Sequence, residues 1–211
     1  YLNNRNLKYR NNDDSSEDNL TLRLRSTEQK TTLRFENQTR LGAWTLKEGA
    51  ELNNSIYTNH SRQRLYGSHS STLSIYETSL NIFGWGAFFS SNYTTADKRL
   101  ALSAGIRMDG NTYNRKMRQL WKQFSPRLSA SYKLSEQWTL SGSTGLYHQL
   151  PPYTALGYKD NEGQYLNKNL KYMQVFESSL GVDWHLQDRF MVSAEGFFKR
   201  YSRMPLSLQD N

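Results

Sequence analysis

The sequence predicts an all-β protein whose antiparallel strands are joined by connections that alternate between short and long. A hairpin between Phe124 and Pro152 is the clearest evidence. Along its first strand apolar or small residues take the even positions and polar residues the odd ones, which is the period of a β-strand. After the tight connection Ser135-Glu136-Gln137 the alternation resumes. The hairpin therefore has one apolar face, with aromatic residues at its ends, and one polar face.

The same alternation predicts strands along most of the chain. They lie, in order, at 20–25, 33–36, 44–52, 80–93, 99–109, 176–186 and 190–201. The apolar parity changes between the first two segments, which requires a turn or a bulge within Ser26 to Lys30. Asn11 to Asn19 has the composition of a loop, and residues 1–30 are poorly assigned. We expect eight to ten strands in total.

The lengths of the connections indicate which kind of β-protein this is. After Leu41 they read short, long, short, long, short, long and short, at 41–42, 53–76, 94–98, 110–123, 135–137, 148–172 and Gln187-Asp188. A soluble sandwich has no reason to sort its loops in this way, whereas a transmembrane barrel has short periplasmic turns and long extracellular loops. The pattern favours an antiparallel transmembrane β-barrel segment. A secreted carbohydrate-binding β-sandwich and a passive porin-type barrel stay open as alternatives.

Composition agrees with strands that need only one apolar face. Hydrophobic residues make up 36% of the 211, and the longest apolar run, Ile82 to Phe89, is too short for a transmembrane helix. The net charge of +8 comes from basic residues interleaved with acids on the polar faces, as in Arg34 and Glu36, which is typical of a solvated face. We therefore expect no nucleic-acid partner. The absence of cysteine excludes disulfides and thiolate metal sites.

The residue pattern predicts no enzyme and no cofactor. His60 and His69 lack the spacing of a metal site, and we expect no metal ligands. The acids Glu177, Asp183 and Glu195 could be compared with the paired carboxylates of glycoside hydrolases. Acids recur beside Arg or Lys on nearly every polar face, however, so an ion-pair network in a barrel lumen is the better interpretation.

Four stretches resemble the barrel strands of TonB-dependent outer-membrane receptors, particularly the Bacteroidetes type. The most similar is SPRLSASYKLSEQWTLSGSTGLYHQLPPY at Ser125 to Tyr153, and the others are 42–52, 83–113 and 169–208. The resemblance implies a cell outer-membrane location and a barrel of about 22 strands with a plugged lumen. Residues 1–211 would be part of that single barrel domain, in a chain that we expect to be a fragment of a longer protein.

The resemblance also implies a function and partners. A receptor of this family takes up a scarce nutrient, such as a metal chelate, a cobalamin, a glycan or a peptide, by TonB-coupled active transport. The implied partners are outer-membrane lipid, a small nutrient ligand and TonB, which would act through a plug domain not present in these residues. A surface lipoprotein is a further possible partner.

Aromatic residues in the predicted long loops are the candidate ligand contacts. Tyr113 and Trp121 lie in one loop, and Tyr153, Tyr158 and Tyr165 lie in another. Packing within the loop or anchoring at the membrane interface is the alternative role for each. Trp138 and Trp184, at the ends of apolar faces, are instead candidates for an aromatic girdle.

Overall fold

In the part of the chain that the structure describes, nine strands form one sheet in which each strand pairs with its neighbour in the sequence. The computed structural model describes residues 1–10, 16, 19–66, 71–160, 162–186 and 190–205. The strands are β1 (Leu2–Tyr9), β2 (Leu20–Leu41), β3 (Trp44–Tyr66), β4 (Ser71–Thr94), β5 (Leu100–Asn111), β6 (Ser125–Lys133), β7 (Trp138–Gln149), β8 (Met173–Leu186) and β9 (Phe190–Ser202). A 3-10 helix (Leu120–Gln123) and a short helix α1 (Tyr153–Leu156) lie in the connections. The predicted all-β class and the number of strands are confirmed.

The chain divides into two compact units. Unit 1 comprises Tyr1–Thr32, Asn53–Phe83 and Pro152–Lys168, and unit 2 comprises Leu33–Leu52, Gly84–Pro151 and Asn169–Asn211. Within the described residues, no helix is long and apolar enough to cross a membrane.

The strand registers of unit 2 confirm the two predicted faces. Directly opposite residues point to the same face of a sheet. One row across β5 to β8 is apolar or small, because Leu102, Ala130, Gly142 and Leu180 are successive partners. The next row points to the other face and consists of serines, at positions 103, 129, 143 and 179. The alternation seen in one hairpin therefore continues over four strands.

Aromatic side chains mark the short-turn ends of the apolar face. Trp138 of β7 and Trp184 of β8 are direct partners with ring centroids 5.9 Å apart. Trp44 of β3 lies 4.8 Å from Tyr93 of β4, also beside short turns. This placement is typical of the aromatic girdle of a membrane barrel.

Ion pairs occupy the polar face of unit 2. The network contains six charged side chains of β2, β3 and β5, namely Arg34, Glu36, Lys47, Glu51, Arg107 and Asp109. Its shortest contacts are 2.6 Å from Lys47 Nζ to Glu36 Oε1 and 2.7 Å from Arg34 Nη2 to Glu36 Oε2. On β8 and β9, Glu177 pairs with Lys199 at 3.2 Å. Of the three acids compared above with a hydrolytic pair, Glu177 therefore forms an ion pair, as the interpretation expects.

The long connection predicted at 53–76 is wrong. β3 continues to Tyr66 and β4 begins at Ser71, so most of that stretch is strand. About 9–11 residues of a tilted strand cross a membrane, whereas β3 has 23 and β4 has 24. A strand longer than a bilayer is thick would need no apolar face along its outer part, so the polar composition of 53–76 resembles that of a loop.

The first part of the chain is also more regular than its sequence indicates. β1 pairs with β2 from Leu2 opposite Glu28 to Tyr9 opposite Leu20. β2 is continuous through Ser26 to Lys30, so the prediction of a turn in this stretch is wrong. Most of the predicted loop at 11–19, the turn Gln187-Asp188 and His69 lie outside the described residues. The remaining connections keep their predicted classes, short at 95–99 and 134–137 and long at 112–124 and 150–172.

Candidate functional site

The candidate site in unit 1 is built on residues 152–168, part of the long connection between β7 and β8. Helix α1 opens this segment directly after Pro152, whose ring favours the start of a helix and cannot continue a strand ladder. Leu156 of α1 is fully buried. The segment therefore packs as a folded element against other residues of unit 1.

Side chains of β4 hold this segment in place. The carbonyl oxygen of Gly157 accepts hydrogen bonds from Tyr76 Oη at 2.6 Å and from Thr78 Oγ1 at 2.7 Å. Tyr165 Oη in turn donates to the carbonyl oxygen of Ser79 at 2.6 Å. A Cβ atom at position 157 would lie 3.0 Å from Thr78 Oγ1, so glycine permits the close approach. We call these three hydrogen bonds the loop latch.

Tyrosines from the segment and from the strands form one cluster. Tyr153 stacks on Tyr57 of β3 at 5.6 Å between ring centroids, and Tyr158 stacks on Tyr76 of β4 at 6.3 Å. Together with Tyr165 these residues form the tyrosine cluster. Three of the five predicted ligand contacts thus lie together, and sequence reasoning missed Tyr57 and Tyr76 because both fell in the stretch assigned to a loop.

The members of the cluster differ in what they can offer a ligand. Tyr57 is 2% exposed and supports the ring of Tyr153, whereas Tyr158 is 51% exposed and presents a free ring face. The Lys159 ammonium lies 4.8 Å from the centroid of the Tyr165 ring, an arrangement with cation–π character. The exposed ring of Tyr158 and the ammonium of Lys159, which lies over the half-buried Tyr165 ring, are therefore two separate groups of this segment that a ligand could meet.

Burial and hydrogen bonding set the polar character of the site. Burial is the main cause that raises the pKa of the Tyr76 phenol, so this group stays a protonated donor at neutral pH. Asn59 Nδ2 donates to Tyr57 Oη at 3.0 Å, while its Oδ1 is buried and has no hydrogen-bond partner among the described residues. Asn59 therefore offers an acceptor near the cluster that sequence reasoning did not single out.

The histidines do not form a metal centre in the part of the chain that the structure describes. No group of three or more His, Cys, Asp or Glu side chains that could hold a metal ion occurs there. His60 Nδ1 instead lies 2.8 Å from Glu77 Oε1.

Tyr113 and Trp121 belong to unit 2, in the connection between β5 and β6. That connection is anchored through Asn111, whose N–H donates to the Met117 carbonyl at 3.0 Å and whose Nδ2 donates to Tyr172 Oη at 2.9 Å. Tyr113 is half-buried, whereas Trp121 is 69% exposed on the 3-10 helix. Trp121 is thus the more accessible of the two predicted contacts.

Comparison with known proteins identifies the family. The model of the TonB-dependent receptor-like β-barrel matches residues 1–211. The chain belongs to this family. The resemblance seen in the strand sequences is thereby confirmed, and the family is an outer-membrane family of receptors and transporters. No curated protein matches the sequence.

Solved structures of TonB-dependent receptors share the fold. The copper transporter OprC matches with a TM-score of 0.62 and 14% identity, over 88% of this chain and 32% of OprC. FpvA of P. aeruginosa bound to heterologous pyoverdines matches with a TM-score of 0.57 and 15% identity, over 92% of this chain and 28% of FpvA. A complex of FpvAI with pyocin S2 matches with a TM-score of 0.59 and 16% identity, over 90% of this chain and 28% of the matched chain. The chain spans about a third of the length of these relatives.

Proposed function

We propose that this chain forms part of the wall of an outer-membrane receptor that takes up a scarce nutrient by TonB-coupled active transport. The observation that carries the proposal is the pair of adjacent rows in unit 2, one apolar and one made of serines, on opposite faces of the same strands. A barrel wall between lipid and a polar lumen requires this arrangement. The short turns would face the periplasm and the long loops the outside.

The tyrosine cluster supports a role for residues 152–168 in ligand recognition. The loop latch fixes the backbone of this segment, so Tyr158 and Lys159 are presented without a large loss of conformational freedom on binding. Trp121, on the other long loop, is a second candidate contact. A metal chelate, a cobalamin, a glycan and a peptide all remain within the proposed ligand class.

The proposed partners follow from the same role. TonB would act through a plug domain outside these residues, outer-membrane lipid would cover the apolar face, and a surface lipoprotein could assist capture. All 211 residues would belong to one barrel domain, and we propose no catalytic activity for it.

Cysteine labelling tests the wall. These 211 residues contain no cysteine, so Leu128→Cys and Ser129→Cys each add one thiol to this part of the chain, on adjacent residues of opposite faces. Any cysteine elsewhere in the full-length protein is first replaced by serine. In the full-length protein recovered from outer membranes, a lipid-phase maleimide should label position 128, and a water-soluble one position 129. Equal aqueous labelling of both would refute the wall and favour a soluble sandwich.

Ligand titration tests the site. The full-length protein should be titrated with one iron chelate, cobalamin, one oligosaccharide and one peptide, with intrinsic fluorescence as the readout. We expect one of these probes to bind, and Tyr158→Ala to weaken that binding at least tenfold. Tyr132→Ala, on the apolar face, is the matched control. Binding unchanged in Tyr158→Ala would remove this cluster from the proposed site.

A further inference from the structure

The hairpin of β1 and β2 in unit 1 concentrates positive charge on one face. Arg5 of β1 lies directly opposite Arg25 of β2, a position in which Cβ atoms are about 4.5–5.5 Å apart on the same face. Both side chains are exposed. Arg23 points to that face as well, since it is two residues from Arg25 along the strand.

No acid of β1 or β2 lies on the same face as Arg5 and Arg25. On the same face Asn3 lies opposite Thr27, and Leu7 lies opposite Arg23. Glu28 is opposite Leu2 and therefore points to the other face. Neither Arg5 nor Arg25 forms an ion pair with any carboxylate that the structure describes. Like charges directly opposite each other destabilise a strand pair, and an anion placed between them reverses the sign of the interaction.

We propose that this arginine face, formed by Asn3, Arg5, Arg23, Arg25 and Thr27, binds a phosphate or a similar oxyanion. Guanidinium groups bind phosphate oxygens through paired N–H donors, and such charge-assisted hydrogen bonds are stronger than neutral ones. The Asn3 amide and the Thr27 hydroxyl add donors at the same face. The phosphate can belong to a dissolved anion or to a lipid headgroup, because both present the same oxygen atoms. The site is separate from the tyrosine cluster and does not depend on which nutrient is transported.

The test uses the full-length protein in detergent and inorganic pyrophosphate as the probe, with sodium chloride at matched ionic strength as the reference. Pyrophosphate should raise the thermal midpoint, and Arg5→Gln should weaken the apparent affinity about tenfold or more, the loss expected for a hydrogen-bonded charge. Lys8→Gln is the matched control, since it removes one positive charge from the same strand but from the opposite face, where Lys8 pairs with Leu22. Heat-modifiable gel mobility shows that each variant is folded.

Two outcomes would overturn the proposal. One is an equal response of Arg5→Gln and Lys8→Gln, which indicates general charge screening. The other is no pyrophosphate effect on the unaltered protein together with equal binding to phosphatidylcholine vesicles with and without phosphatidylglycerol. Preference for the phosphatidylglycerol vesicles that is lost in Arg5→Gln identifies a lipid headgroup as the source, whereas stabilisation by pyrophosphate in lipid-free detergent identifies a dissolved anion.

Discussion

The loop latch makes a quantitative prediction, because one carbonyl oxygen accepts two side-chain donors. In Tyr76→Phe the Gly157 oxygen keeps its hydrogen bond from Thr78, so the loss is that of one hydrogen bond, about 1 kcal/mol. Amide exchange in residues 152–168 of the full-length protein should then become about fivefold faster. Adding Thr78→Val leaves the oxygen without either donor, and the total loss should reach about 2 kcal/mol or more.

Hydrogen–deuterium exchange read by mass spectrometry measures this difference directly. The double variant should exchange residues 152–168 about 30-fold faster or more, which is at least the product of two single effects of about fivefold each. Exchange in β6 and β7 of unit 2 should stay unchanged and serves as the internal control. If the double variant protects the segment as well as the unaltered protein does, the latch does not hold the segment and the reasoning fails.

Three further predictions follow from the packing, the faces and the titration of the latch. A Cβ atom at Gly49 would overlap the backbone carbonyl oxygen of Phe35, whereas a Cβ atom at Gly196 would have no atom within 4 Å, so Gly49→Val should lower the thermal stability of the heat-modifiable band and Gly196→Val should not. Ala130→Arg, on the apolar face, should cost about 2–4 kcal/mol in denaturant unfolding from lipid vesicles, while Ser131→Arg on the polar face should cost far less, and equal losses would contradict the assignment of faces. Burial raises the pKa of Tyr76, so the stability that its hydrogen bond contributes is complete below the ordinary phenol value of about 10 and is lost as pH rises through the higher folded value. Because Tyr165 is the other phenol of the latch, proteolytic protection of 152–168 should fall above pH 10 in a Tyr165→Phe protein. A Tyr165→Phe protein that also carries Tyr76→Phe and still shows the same fall would refute the assignment.

The faces of the strands were predictable because they depend on local sequence alone. The apolar positions of 126–134 and 138–146 alternate with a period of two, and this period survives in the structure as rows of partners across four strands. The placement of Trp138 and Trp184 was also predictable, since each stands at the end of an apolar face next to a short turn; their role in a girdle stays a prediction.

The candidate site was only half predictable. Tyr153, Tyr158 and Tyr165 stand out as loop aromatics, but their stacking partners Tyr57 and Tyr76 lie in the stretch 53–76, whose composition, rich in Ser, Asn and His, resembles that of a loop. Tyr57 and Tyr76 therefore had no visible role. The unpartnered acceptor of Asn59 depends on tertiary contacts as well and has no counterpart in the sequence.

The loop latch ties together residues that are far apart in the chain. Tyr76 and Thr78 reach Gly157 across 81 and 79 residues, and Tyr165 reaches Ser79 across 86. Contacts between residues so far apart in the chain form only after the intervening strands are in place, because closing a long loop costs entropy before the contact can stabilise the fold. Residues 152–168 should therefore become protected late, after the strands between β4 and β7 have paired. The time at which these residues become protected against proteolysis therefore reports when this part of the sheet has finished assembling.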